Sequence, residues 1–130
     1  MIGLARLTGI EARILRDVFD RMNVFPRWLG PSGKGDWWDP TEARRIVRVL
    51  RKRGFFGSED YPRRRVILLG KRVMRAFDLD RDYFDPVTIN GTEHVVAPHF
   101  SGVNRWWNDG HNRKVAEQAW LYWIREAGES

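Results

Sequence analysis

The chain contains no cysteine. That excludes a disulfide framework and thiolate metal ligation, and it fits a reducing cytoplasm. Long apolar runs are also absent, so no stretch of the sequence has the length of a membrane span. The opening residues MIGLARLTGI lack the charged-then-apolar order and small-residue cleavage site of a secretory signal. Histidine is scarce, and neither His94 nor His111 has a second ligand at metal-binding spacing, so no metal and no cofactor is expected. No internal repeat, low-complexity tract or long linker divides the sequence. These absences predict a single domain over residues 1–130, cytoplasmic and without a membrane partner.

What is present is aromatic and basic. Forty-two per cent of the residues are hydrophobic, including seven Trp and seven Phe, enough to fill one core. Lys and Arg number 23 against 17 Asp and Glu, a formal charge of +6, and arginine dominates. Its planar fork bonds two phosphate oxygens at once, so the balance points toward a nucleic-acid partner. An ordinary solvated surface written in arginine is the alternative.

Local patterns divide the chain into elements. Thr8 and Glu11 have capping-box spacing, and Ile14, Leu15, Val18, Phe19 and Met22 follow at helical intervals, which predicts a helix over 8–21. Asn23-Val24-Phe25 reads as a short extended piece before Pro26, and the Gly and Pro content from Arg27 to Asp39 as a loop. Asp39-Pro40-Thr41-Glu42 starts a second helix, with Ala43, Ile46, Val47 and Leu50 inward and Gly54 as its stop. Arg44, Arg45, Arg48, Arg51 and Lys52 lie off that stripe, either solvated or facing phosphate. The run Arg65–Leu69 predicts a strand buried on both faces, followed by a short helix from Lys71 to Phe77. Asn90-Gly91 between two β-rich segments predicts a tight hairpin. A last helix runs from near Asp109 to Ala127. The alternation favours an α/β sandwich with some parallel pairing.

In open α/β sheets, ligands bind beyond the carboxyl ends of the strands. Pro98-His99-Phe100-Ser101-Gly102 stands at such an end, followed by Asn104, Arg105, Trp106, Trp107 and Asn108. The segment offers an imidazole, a hydroxyl, amides, a phosphate-binding cation and two large rings, which suits stacking or wedging into a nucleic acid. Packing of both Trp rings beneath the last helix is the competing expectation.

Ser101-Gly102-Val103-Asn104-Arg105-Trp106-Trp107-Asn108-Asp109 resembles the C-terminal motif of bacterial members of the uracil-DNA glycosylase superfamily. Val66 to Val73 is similar to that family's central strand and following helix start, and Asp20 to Phe25 to the short strand whose Asn reads the uracil edge. Lys34-Gly35-Asp36 and Glu42-Ala43-Arg44 match the loop and helix that come next, so the likeness runs from about Gly3 to Glu126. The resemblance implies a reduced three-layer αβα sandwich with a small, mostly parallel sheet. It implies DNA as partner, with Asn23 and His99 binding a flipped base. Lys34, Ser101, Gly102, Asn104, Arg105, Trp106 and Trp107 would contact DNA, and His99 would be the catalytic group if the protein is active.

The likeness has two departures. Nothing here matches the family's Gly-Glu-x-Pro-Gly segment, which handles water, so the first core strand is expected to be missing; of Asp17, Asp20, Asp36 and Asp39, Asp36 is the least implausible substitute, solvated acids and helix caps being the ordinary explanation. Phe100 stands where the family has Pro. The expectation is therefore a DNA-binding protein of the glycosylase type in the bacterial cytoplasm, or in the host cytoplasm if phage-encoded. The alternatives are an active base-excision glycosylase and a phage-type protein-interaction module. An unpaired sheet edge would also allow a homodimer.

Overall fold

A computed structural model of the chain describes residues 2–19, 40–60, 62–100 and 104–128. By its internal contacts the chain divides into two compact units: residues 23–97, and residues 1–22 together with 98–130.

The unit of residues 23–97 holds a sheet and two helices. Helix α3 spans Pro40–Lys52 and begins with Pro at its first turn, as the sequence signals. At its other end Gly54 takes φ +76. Its N–H bonds Arg51 O at 3.0 Å while the Phe55 N–H reaches Leu50 O at 2.9 Å, a Schellman stop. Strand β1 is Arg65–Leu69, β2 Val87–Ile89 and β3 Thr92–Ala97. Asn90 and Gly91 both adopt positive φ, +51 and +81, in the turn joining β2 to β3, as a two-residue hairpin requires. Helix α4, Lys71–Ala76, also ends in a Schellman pattern, here with Asp78 in the left-handed position.

The sheet order is β1-β3-β2, with β1 parallel and β2 antiparallel to β3. The sheet is thus mixed, one parallel and one antiparallel pair, within a small α/β arrangement. The strand expected to be buried on both faces, β1, is half-buried except at Leu68. The reason is position: among the described residues β1 has a neighbour on one side only, and β3 takes the central place. Apart from half-buried Glu93, every residue of β3 is buried. Glu93 pairs across the strands with Arg65, its register partner. On the opposite face Leu68 and Val96 join Ala43, Val47, Phe56, Met74, Ala76 and Phe77 in one apolar cluster.

The second unit is helical. The single helix expected over 8–21 is two helices, α1 (Ile2–Thr8) and α2 (Ala12–Val18). The break has a physical cause. Gly9 sits at φ +78 with its N–H on Ala5 O at 2.8 Å, which terminates α1. Thr8 then serves the end of α1 instead of opening α2: its hydroxyl donates to Leu4 O at 2.8 Å and accepts from the Ile10 N–H. No side-chain cap bond forms at Glu11, so the capping box is not made. A 3-10 turn, Arg105–Asn108, leads into α5, Gly110–Gly128. Leu4, Leu15, Trp107, Ala116, Trp120 and Trp123 are buried in this unit, and Trp120 meets Trp123 edge-on at 4.9 Å. No helix among the described residues is long and apolar enough to cross a membrane.

Candidate nucleic-acid interface

The strand β3 ends at Ala97, and Pro98 and His99 follow it in the chain. Two side chains from the next turn converge on the His99 backbone. Asn104 Nδ2 and Trp107 Nε1 each donate to the His99 carbonyl at 2.9 Å. Asn104 also accepts from the Trp106 N–H at 3.2 Å through its Oδ1, capping the 3-10 turn. One amide side chain thus ties two points of the backbone together, five and two residues away. Asn112 extends the arrangement from α5, donating to Trp106 O at 3.0 Å. Asp109 accepts from the His111 N–H at 2.8 Å where α5 begins.

Anchoring through the carbonyl leaves the His99 side chain outside these bonds. Its ring stacks on Phe100, centroids 4.9 Å apart and planes 12° from parallel. Phe100 in turn lies over Gly3, where an added Cβ would come within 2.9 Å of the Phe100 ring. The residue as a whole is exposed, yet burial of part of the ring lowers its pKa below the ordinary 6.5. The imidazole is therefore neutral at pH 7, with one ring N–H able to donate.

The two tryptophans take different places. Trp107 is buried, and its indole N–H is used by the His99 carbonyl. Trp106 is half-buried and meets Trp107 edge-on at 5.0 Å. Arg105 is exposed, and among the described residues its guanidinium has no carboxylate partner. His99, Asn104, Arg105, Trp106 and Trp107 thus occupy one short, cross-tied stretch of backbone. Asn23, Lys34, Ser101 and Gly102 lie outside the described residues, as do Asp36, the extended piece 23–25 and the loop 27–39. Among the described residues no group of three or more His, Asp or Glu is placed to hold a metal ion.

Sequence reasoning offered Asn104 as a surface contact and Trp107 either as a surface contact or as a ring packed under the last helix; Trp107 is buried, and the grip of both on the His99 carbonyl was missed. Only the cap on the Trp106 N–H had a signal: an Asn two residues before the amide it accepts from is Asx-turn spacing. No matching family model, curated protein or solved structure was found for this chain.

Proposed function

We propose that the chain is a DNA-binding protein of the uracil-DNA glycosylase type, with a reduced three-layer αβα sandwich as its fold. The observation that carries the reading is the anchored His99 peptide. Two donors fix its carbonyl, and the residue is exposed, its ring stacked on Phe100 and close in sequence to Arg105. Such a ring can meet the edge of an extruded base. Arg105 supplies phosphate contact, and half-buried Trp106 is the better placed of the two indoles to stack or wedge. Asn23, Lys34, Ser101 and Gly102 complete the surface on the sequence resemblance alone.

Active glycosylase chemistry is the second reading, and the neutral His99 favours it. As an N-glycosidic bond breaks, negative charge grows on the departing pyrimidine, and a neutral imidazole N–H aimed at its O2 would stabilise that charge. Both readings meet the same experiment. The protein is incubated with uracil-containing single- and double-stranded DNA, and alkali-labile sites and salt-dependent binding are measured. Cleavage abolished by His99→Ala selects the enzyme; salt-sensitive binding without cleavage selects the binding protein. Absence of binding at low salt refutes both.

A further inference from the structure

The unit of residues 23–97 carries a basic surface that the His99 loop does not explain. Along α3, Arg44, Arg45, Arg48 and Lys52 are exposed, and exposed Arg53 follows the helix. Arg44, Arg48 and Lys52 form an i, i+4 ridge, with a rise of about 6 Å from one cation to the next. Glu42 is the helix's one acid. Arg44 has only a loose, exposed pairing with Asp78 at 3.7 Å. The side chains of Arg45, Arg48, Lys52 and Arg53 make no ion pair or hydrogen bond among the described residues. A helix decorated only for solubility would interleave acids at i, i+4 spacing, and this one does not.

A second observation points to the ligand. The Schellman stop at Gly54 folds Phe55 back against the helix end, where the residue is 40% exposed. The Arg63 guanidinium lies over that ring, 5.5 Å from its centroid. An exposed aromatic residue flanked by arginine, at the end of a cationic ridge, matches the two needs of single-stranded nucleic acid: phosphate along the ridge and a base beside the ring. A membrane surface fits poorly. The apolar stripe that α3 would have to insert, Ala43 and Val47 with Leu50, is already packed in the core.

We propose that the exposed face of α3, with Phe55 and Arg63, is a second nucleic-acid-binding surface that takes single-stranded DNA through its backbone and one stacked base. It is separate in sequence from the His99 loop and needs no flipped base. The test is a fluorescence titration of the full chain with a labelled single-stranded DNA 15-mer from low to moderate salt, with an RNA 15-mer of the same sequence alongside; binding of the RNA alone overturns the proposal. Arg44→Gln/Arg45→Gln/Arg48→Gln and Phe55→Ser are compared with Arg105→Gln/Trp106→Ala.

Neutralising three cations should flatten the log Kd against log salt line by about 2, at roughly 0.7 per phosphate contact on a single strand. Phe55→Ser should weaken binding by about tenfold with little change of slope. All of these positions are at least partly exposed, and unchanged circular dichroism would confirm that each variant is folded. An unchanged affinity and slope in the α3 triple variant overturns this inference and leaves the His99 reading standing. Loss in the triple variant with no effect of Arg105→Gln/Trp106→Ala does the reverse. Phosphatidylserine vesicles form the control arm: α3-dependent vesicle binding with nucleic-acid binding unaffected also overturns the proposal.

Discussion

Replacing Asn104 by Ala removes two bonds at once, and the structure allows each to be weighed. The amide donated to the His99 carbonyl at 2.9 Å contributes about 1 kcal/mol net. The cap on the Trp106 N–H at 3.2 Å contributes about 1 kcal/mol more. The expected loss for Asn104→Ala is therefore about 2 kcal/mol. Asn104→Asp keeps the acceptor and loses the donor, so it should cost about half as much. Trp107→Phe removes the other donor to the same carbonyl and trims a buried ring, for about 2 kcal/mol. Either donor alone still serves the carbonyl, whereas the double variant leaves it to water. The double loss should exceed the sum of the single losses by about 0.5–1 kcal/mol. Urea unfolding followed by circular dichroism measures the totals, and amide exchange at Trp106 separates the cap from the clamp. Trp106 exchange should quicken by roughly tenfold in Asn104→Ala and stay near wild type in Asn104→Asp. An Asn104→Ala protein as stable as wild type, or strictly additive losses, would refute the shared-carbonyl account.

Three further outcomes follow from the unit of residues 23–97. At Gly57, φ is +124 and an added Cβ would fall 2.2 Å from Thr92 Oγ1. Gly57→Ala should thus cost about 3 kcal/mol in strain and displacement of a buried Thr, and Thr92→Ala in that background should recover part of it in thermal melts. Asp78→Gly should raise stability by about 0.5–1 kcal/mol, because glycine takes the left-handed position without a Cβ clash and the exposed pair with Arg44 adds little. His94 is buried, Nδ1 is 2.9 Å from Thr92 O, and Nε2 has no partner among the described residues. Burial is the larger cause of its lowered pKa and the Arg51 charge a smaller one, with the Thr92 bond opposing both.

The unfolded chain then takes up the His94 proton near the ordinary 6.5 while the folded chain does not. Stability from this residue is constant at higher pH and falls as pH drops below about 6.5 until the folded group also protonates. His99 is depressed in the same direction and adds to the slope. His94→Gln should flatten the acid limb of a pH-stability curve; an unaltered limb would show that His94 is not its source.

The elements whose local chemistry agrees with their packing were legible in the sequence. Pro40 and Gly54 bound α3, Asn90-Gly91 makes the hairpin turn, and β1 has the limits its apolar run suggests. Local spacing failed where two signals competed. Thr8 suits the end of one helix as well as the start of another, and the φ preference of Gly9 decided between them. The apolar run of β1 advertised a central strand, while Glu93 and His94 disguised the one that is central. At the candidate site, Asn104 and Trp107 announced polar and aromatic surface, but their partner is a backbone carbonyl. Every residue carries such a carbonyl, so composition cannot signal it.

Because the clamp holds position 99 by its carbonyl, the anchorage is indifferent to which side chain stands there. Mounting and tool are separate parts of the same turn. Substitution at 99 leaves both donors to the carbonyl in place, so the backbone there is a socket in which the side chain can be exchanged without rebuilding its support.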